Sequence, residues 1–531
     1  MRAGARALWG AGCGASLTAT LVALSFVVAA LTQADPLPFL TFDVLVRVLP
    51  GELVTWGIDA LVKSLAMAGL DDLSGAAKTV ERGLAIGLFL AAGTALGALF
   101  ALEPWPRPLP AAGAGLTLGL CLAALVTAAV AALVPYAASL TQLSWTVVGL
   151  AGWGLSLGYC VARATVAAPA ADPRARRFVV RLAGTTVALT VTGAVVAKLS
   201  SSRGPRRQVR WSDTEELPNI RALVKAVPGT RPELTPLESH YRIDINSTAP
   251  KLDLATWRLE VRGRVERPRT LALSELQRHP PLHQLVTLSC ISNPVGGELI
   301  GTTRWSGTSL KHVLPQLGLQ PSATHLRLVS ADGFHEVVEL ELVRADERVM
   351  LCWEWDGVPL TAEHGFPLRI YIPHRYGMKQ PKWLVALEAL DRWEAGYWVE
   401  RGWDRDALMK ATAVIDVVDV EHAEPLSGGV YRVPVGGIAH AGARGVSRVE
   451  LALDGGDWVP ARLRTPLSST SWVLWRADVG LSAGEHQLTV RCYDGTGVLQ
   501  VEERTPPHPA GASGWHKVET ALSGSTRRAA R

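Results

Sequence analysis

Two stretches of this chain carry side chains that could do chemistry together. The first is Thr287-Leu288-Ser289-Cys290-Ile291-Ser292-Asn293. Upstream of the thiol, Leu285-Val286-Thr287-Leu288 is apolar and β-branched, which predicts a buried strand. Downstream, Asn293-Pro294-Val295-Gly296-Gly297 is turn chemistry, so the chain leaves the sheet at once. A thiol at the mouth of a strand is fixed in place yet open on one side, as a ligand to a soft metal must be. Read alone, Cys290 is equally a small packed hydrophobe, so the metal reading needs partners. The second stretch supplies them: His364-Gly365-Phe366-Pro367-Leu368-Arg369, a strand Ile370-Tyr371-Ile372-Pro373, then Tyr376-Gly377-Met378-Lys379-Gln380-Pro381-Lys382-Trp383. His364, Arg369, Lys379 and Lys382 are thus gathered within 19 positions and tied by Gly and Pro turns. Donors fixed in this way suit a phosphate, whereas the rival reading is a basic, solvated sheet edge.

The elements that must position these groups form a mixed domain. Tyr241-Arg242-Ile243-Asp244 and the alternating strand Trp257-Arg258-Leu259-Glu260-Val261 open it, and Ser274-Glu275-Leu276 begins a short helix. Leu310–Leu317 reads as a helix and Thr324–Val329 as a strand. Ala331-Asp332-Gly333-Phe334 makes a turn, and Tyr397-Trp398-Val399-Glu400-Arg401-Gly402-Trp403 closes the domain. Strands and helices mix without a βαβ rhythm, which predicts an α+β fold. After Thr412 the pattern changes to short alternating strands with Gly-rich turns, as in Ser447–Leu453 and His486–Arg491, and predicts an immunoglobulin-like β-sandwich.

Cys290 followed by Arg304-Trp305-Ser306-Gly307, together with His364 to Arg369 and Lys382-Trp383 at this spacing, resembles the molybdopterin domain of the sulfite oxidase family over roughly residues 221–520. The resemblance implies a molybdenum–molybdopterin cofactor. It makes Cys290 the metal ligand and assigns the pterin and its phosphate to Tyr241, Arg242, Asp332, His364, Arg369, Lys379 and Lys382. It also likens the region after Thr412 to the family's C-terminal dimerisation domain, which implies a homodimer. The substrate residues depart from the family. Cys290 is followed by Ile291-Ser292-Asn293-Pro294-Val295 where sulfite oxidases have Ala-Gly-Asn-Arg-Arg, so Val295 replaces an arginine that helps bind sulfite. Trp403 stands where the family has its active-site tyrosine, and Trp515-His516-Lys517 where it has Trp-His-Arg. A small dianion loses at least one bidentate partner, which argues against sulfite as substrate.

The first 200 residues are of another kind. Ser16–Thr32, Leu84–Leu102, Ala111–Val134, Leu143–Val161 and Phe178–Leu199 are apolar enough to span a bilayer, so about five membrane helices are expected. Residues 35–81 carry Asp43, Arg47, Glu52, Asp59 and Lys63 and read as interfacial helices, because such charges are costly at mid-bilayer. Arginines at 2, 6, 107, 163, 174, 176 and 177 fall in segments on one side, which places the N-terminus inside and the later domains on the extracytoplasmic side of a plasma membrane. Arg203, Arg206, Arg207 and Arg210 run against that bias, and Arg176-Arg177-Phe178 leaves a twin-arginine export signal open. All 13 histidines lie between His240 and His516, so the spans hold no bis-histidine haem site. The membrane part is then an anchor or docking platform, and electrons pass to or from an external partner. None of the six cysteines forms a CxxC, which excludes zinc ribbons and covalent haem. A net charge of +5 on 531 residues gives no case for nucleic acid.

The expected organisation is therefore a transmembrane helical anchor at 1–200, a linker at 201–229, a molybdopterin-binding domain at 230–412, an immunoglobulin-like domain at 413–524 and a tail at 525–531. Two functions compete. One is a molybdenum oxidoreductase moving an oxygen atom and two electrons on a small molecule, with Cys290 and Trp403 at the reacting centre. The other is a membrane-anchored binding module that keeps the fold without the metal.

Overall fold

A computed structural model describes residues 3–32, 34–67, 73–105, 107–166 and 209–523. The N-terminal part is helical because its Ala-, Leu- and Val-rich runs can satisfy every backbone group internally, as a bilayer demands. The described helices are α1 (Ala3–Leu31), α2 (Leu37–Val48), α3 (Gly51–Met67), α4 (Leu73–Phe100), α5 (Pro108–Leu133) and α6 (Leu140–Val166). Four of them, α1, α4, α5 and α6, are long and apolar enough to cross a membrane. They correspond to the first four expected spans, while the fifth, at 178–199, lies outside the described residues. α4 starts 11 residues before the expected Leu84. The charged residues of its first turns, Lys78, Glu81 and Arg82, find partners on the domain that follows.

The helices pack by glycine. A Cβ at Gly10, Gly14 or Gly97 would collide with the facing backbone of α1 or α4, and one at Gly115, Gly154 or Gly158 with that of α5 or α6. Small residues at a crossing let two backbones approach where lipid gives no hydrophobic drive.

Two sheets build the next domain. The first contains β1 (Leu259–Gly263), β2 (Arg269–Leu271), β5 (His325–Ser330), β6 (His335–Glu339) and β10 (Leu384–Leu390), in the order β2-β1-β10-β5-β6. β1 and β10 are parallel; the other pairs of this sheet are antiparallel. The second contains β3 (Pro281–Ser289), β4 (Ile300–Ser309), β7 (Met350–Trp355), β8 (Val358–Pro359) and β9 (Arg369–Tyr371), in the order β3-β4-β7-β8 with β9 also on β7. The helix Leu310–Leu317 buries Leu310, Val313, Leu314 and Leu317 against Leu259, Leu326, Leu328 and Leu387. Each such burial stabilises by roughly 2 kcal/mol. The helix ends at Gly318, whose φ of 62° closes it in the left-handed region.

Residues 412–522 form two packed antiparallel sheets. Thr412–Val418, Val430–His440 and Val473–Ser482 lead one; Val446–Leu453, Gly484–Asp494 and His516–Leu522 lead the other. Ile415, Val435 and Trp475 of the first meet Val449, Leu451 and Val490 of the second in the core. A loop of this unit also covers the open edge of β3: Thr287 N–H donates to Thr470 O at 3.1 Å, and Trp472 N–H to Thr287 Oγ1 at 2.8 Å. The strand that ends at Cys290 is thereby held on both sides.

Candidate active site

β3 runs through Ser289, and its β-branched, apolar end is buried on both faces. Cys290 follows it, with its N–H bonded to Leu299 O at 2.9 Å. Its Sγ shares a hydrogen bond with Ser292 Oγ at 2.9 Å and lies in the wall of a cavity of about 940 Å³, part of it open to solvent. Burial raises the thiol pKa, while Ser292 pulls the other way.

β9 and the turns on either side of it bring the second stretch to the same cavity. His364 caps a short turn and is followed by Gly365 at φ 110°. A Cβ there would stand 3.1 Å from Arg369 Cβ and 3.2 Å from Lys382 Cβ, so only glycine lets the three chain segments close on one another. Trp383, with φ 52°, holds a left-handed backbone that non-glycine residues rarely adopt. Its Nε1–H is anchored on Ala362 O at 2.6 Å.

The charges of this cluster are unevenly paired. Arg369 is 6 % exposed, lies 4.6 Å over the Trp305 ring and donates to His364 O at 3.0 Å. Among the described residues it has no carboxylate partner, and burial lowers its pKa. His364 Nε2–H donates to His240 O at 3.3 Å, and its Nδ1 meets Thr361 Oγ1 at 3.0 Å. Burial, followed by His240, Lys382 and Arg369, holds its pKa well below the usual imidazole range, so the ring is neutral at pH 7. Lys382 Nζ reaches Asp244 Oδ2 at 3.3 Å and is brought down to about 8, chiefly by burial. Burial alone would push the Asp244 carboxyl up, but Lys78, Lys382 and Arg242 hold it well below the carboxylate range.

Of the expected site residues, Cys290, Trp403, Tyr241, Asp332, His364, Arg369 and Lys382 all line this cavity. Arg242 stands behind it, its Nε 2.7 Å from Asp244 Oδ2. Lys379 is elsewhere. It is buried on the far side of its turn, with Nζ 2.7 Å from Glu336 Oε1, and that ion pair occupies the ammonium. Val295 also lies outside, in a separate small cavity against the C-terminal sandwich. His240, Asp244, Ser292 and Trp398 were not expected here; of these, only the Tyr241-Arg242-Ile243-Asp244 run carried a local signal.

The cavity asks for a ligand. Among the described residues, His240 Nε2, Ser330 Oγ, Gln380 Oε1 and Trp403 Nε1 are buried without a hydrogen-bond partner, and all four residues line it. Arg242 Nη2, just behind, is also unpartnered. Natural proteins satisfy nearly all buried polar groups, so these atoms are the signature of a polar molecule. Among the described residues no three His, Cys, Asp or Glu side chains form a cage for a metal. A pterin that carries its own sulfur donors would ask little more of the chain than one thiolate such as Cys290, and the residues present fit that group.

Comparison with known proteins agrees. Residues 246–398 match the family described as Oxidoreductase molybdopterin binding domain. The mitochondrial sulfite oxidase of Homo sapiens is 29% identical over 286 residues, covering 46% of this chain and 52% of that protein. The sulfite oxidase of Arabidopsis thaliana is 26% identical over 310 residues, covering 47% and 78% respectively. A protein of Azospira oryzae, named for subunit YedZ1 of a protein-methionine-sulfoxide reductase, is 29% identical over 175 residues, covering 33% and 63%. The chain spans about half the length of the mammalian sulfite oxidases it matches (52%). The domain that holds Cys290 and Arg369 is thus a molybdopterin oxidoreductase domain. It is similar to the sulfite oxidases, and the matched domain together with these relatives implies a molybdenum–molybdopterin cofactor.

Proposed function

We propose that this chain is a membrane-anchored molybdenum–molybdopterin oxidoreductase acting on a small, neutral, oxygen-bearing molecule rather than on sulfite. When bound, the cofactor supplies a two-electron redox centre that exchanges an oxygen atom with the substrate. Cys290 would give the metal its protein thiolate. Arg369, Lys382 and neutral His364 would hold the phosphate, with Arg242 behind them and Tyr241 and Asp332 in the wall. The observation that carries the reading is Arg369. Burying a guanidinium without an anion costs several kcal/mol, and a phosphate in the same cavity as the thiol removes that cost.

The substrate side favours a neutral molecule. Phe334, Met378, Trp398 and Trp403 make an apolar wall, on which Trp403 Nε1–H is an unpartnered neutral donor among the described residues. One neutral donor suits a sulfoxide-type oxygen better than it suits a dianion, which needs fixed positive forks. Electrons would come from an external partner. Arg6, Arg107 and Arg163 sit at the helix ends away from the domain, which supports an extracytoplasmic domain by the positive-inside bias. The two-sheet unit at 412–522 supports the immunoglobulin-like reading, with homodimerisation its proposed use.

Purified from a host that makes the cofactor, the full chain should contain about one molybdenum per chain, released with a pterin phosphate on denaturation. Elemental analysis without molybdenum would overturn the reading.

A further inference from the structure

The membrane helices reach into the wall of the cofactor cavity. We propose that Lys78 of α4 and Arg47 of α2 are positioning residues of the cofactor site, so that the membrane part is structurally a component of it; this rests on the cofactor reading above. The wall in question is the loop Ile243–Ser247, which has no regular secondary structure and of which Ile243, Asp244 and Ile245 face the cavity. Asn246 and Ser247 are nevertheless fully buried, at 0%. What covers them is the polar end of the helices.

Lys78 Nζ lies 3.2 Å from Asp244 Oδ1 and donates to Asn246 O at 2.7 Å. Arg47 Nη2 donates to Asn246 Oδ1 at 2.6 Å and to Asp332 O at 3.0 Å. Asn246 Nδ2–H in turn donates to Asp332 Oδ2 at 2.8 Å, so Arg47 clamps two walls of the cavity that are 86 residues apart. Asp43 Oδ1 completes the dock by accepting Ser247 N–H at 2.9 Å and Oγ–H at 2.7 Å. Asp43 is 3% and Lys78 8% exposed. Charges at such depth in apolar helices are costly unless paired, and their partners here are the groups of this loop.

Lys78 also sets the charge that Lys382 sees. Asp244 faces Arg242 and Lys382 with Oδ2 and Lys78 with Oδ1. While Lys78 shares the carboxylate, Lys382 keeps positive charge for a phosphate. Without Lys78, Asp244 would draw on Lys382 and repel the anion.

The test uses the full, cofactor-loaded chain in detergent. Release of the pterin is followed by its fluorescence well below the unfolding temperature, with tryptophan fluorescence reporting unfolding in the same sample. Lys78→Met should release pterin about tenfold faster than the parent, because one charge-assisted partner of the loop is gone. Lys78→Arg should restore most of the retention. Release at the parent rate from Lys78→Met, while Lys382→Ala leaks, overturns this proposal and leaves the cofactor reading intact. Release that occurs only as the domain unfolds overturns it as well. A parent chain without pterin overturns both readings. If Lys78→Met does not accumulate, Arg47→Gln decides, with the same about tenfold faster release expected.

Discussion

Arg369→Met should move two quantities in opposite directions. The guanidinium is 6% exposed and has no carboxylate partner among the described residues. Its compensation is the Trp305 face at 4.6 Å, of the order of 1–2 kcal/mol, and one hydrogen bond to His364 O at 3.0 Å, worth about 1 kcal/mol. Against these stands a burial penalty of several kcal/mol for an uncompensated charge. Replacing it by a flexible apolar side chain of similar length should therefore stabilise the cofactor-free protein by about 1–2 kcal/mol. For a domain of this size that is a rise in Tm of roughly 2–4 °C for each kcal/mol. The loaded protein should suffer instead. Each charge-assisted bond to the phosphate is worth about 1.5–3 kcal/mol, so losing a bidentate pair weakens retention at least about a hundredfold. The assay compares thermal unfolding of chains made without the cofactor, then pterin content after dilution of loaded ones. A variant that is less stable when cofactor-free yet keeps its pterin would show that Arg369 is a packing residue and refute the argument.

Two further outcomes are expected. Cys290→Ser replaces a soft donor by a hydroxyl that stays protonated near neutrality, so the metal absorption bands should change while pterin content stays close to the parent's; an unchanged spectrum would mean that Cys290 is not the ligand. Lys382 gives a pH dependence: burial brings its pKa to about 8 from the ordinary 10.5. Between those values the unfolded chain binds more protons than the folded one, so stability of the cofactor-free protein should rise from pH 8 towards 10.5. Phosphate rebinding should weaken over the same window, since it needs the ammonium, and Lys382→Met should flatten both curves; titration and thermal unfolding of the two proteins check this.

The contrast between Lys379 and Lys382 shows where sequence reasoning reaches its limit. Both stand in one Gly- and Pro-rich turn, and nothing local distinguishes them. The fold sends Lys379 to Glu336 of β6 and Lys382 to Asp244 beside the cavity. Which ammonium a phosphate can meet depends on the acids that lie opposite, and those come from other elements.

Much else was legible because it is local chemistry. An apolar, β-branched run before Cys290 and Asn293-Pro294-Val295-Gly296-Gly297 after it specify a strand and its exit. Long uncharged runs specify helices for a bilayer, and four of the expected spans are among the described helices. His-Gly at 364–365 marks a turn whose tight approach a side chain would prevent. What only the tertiary structure decided is the company these groups keep: Arg369 without a carboxylate among the described residues, neutral His364 between His240 and Trp355, and the reach of Lys78 across 168 residues to Asn246. Lys78 falls in the stretch 35–81 that reads as interfacial from its charges, since sequence alone assigns a buried charge its cost. Its partner, and hence its purpose, is set by long-range packing, where the energy of an ion pair depends on a neighbour that no local pattern names.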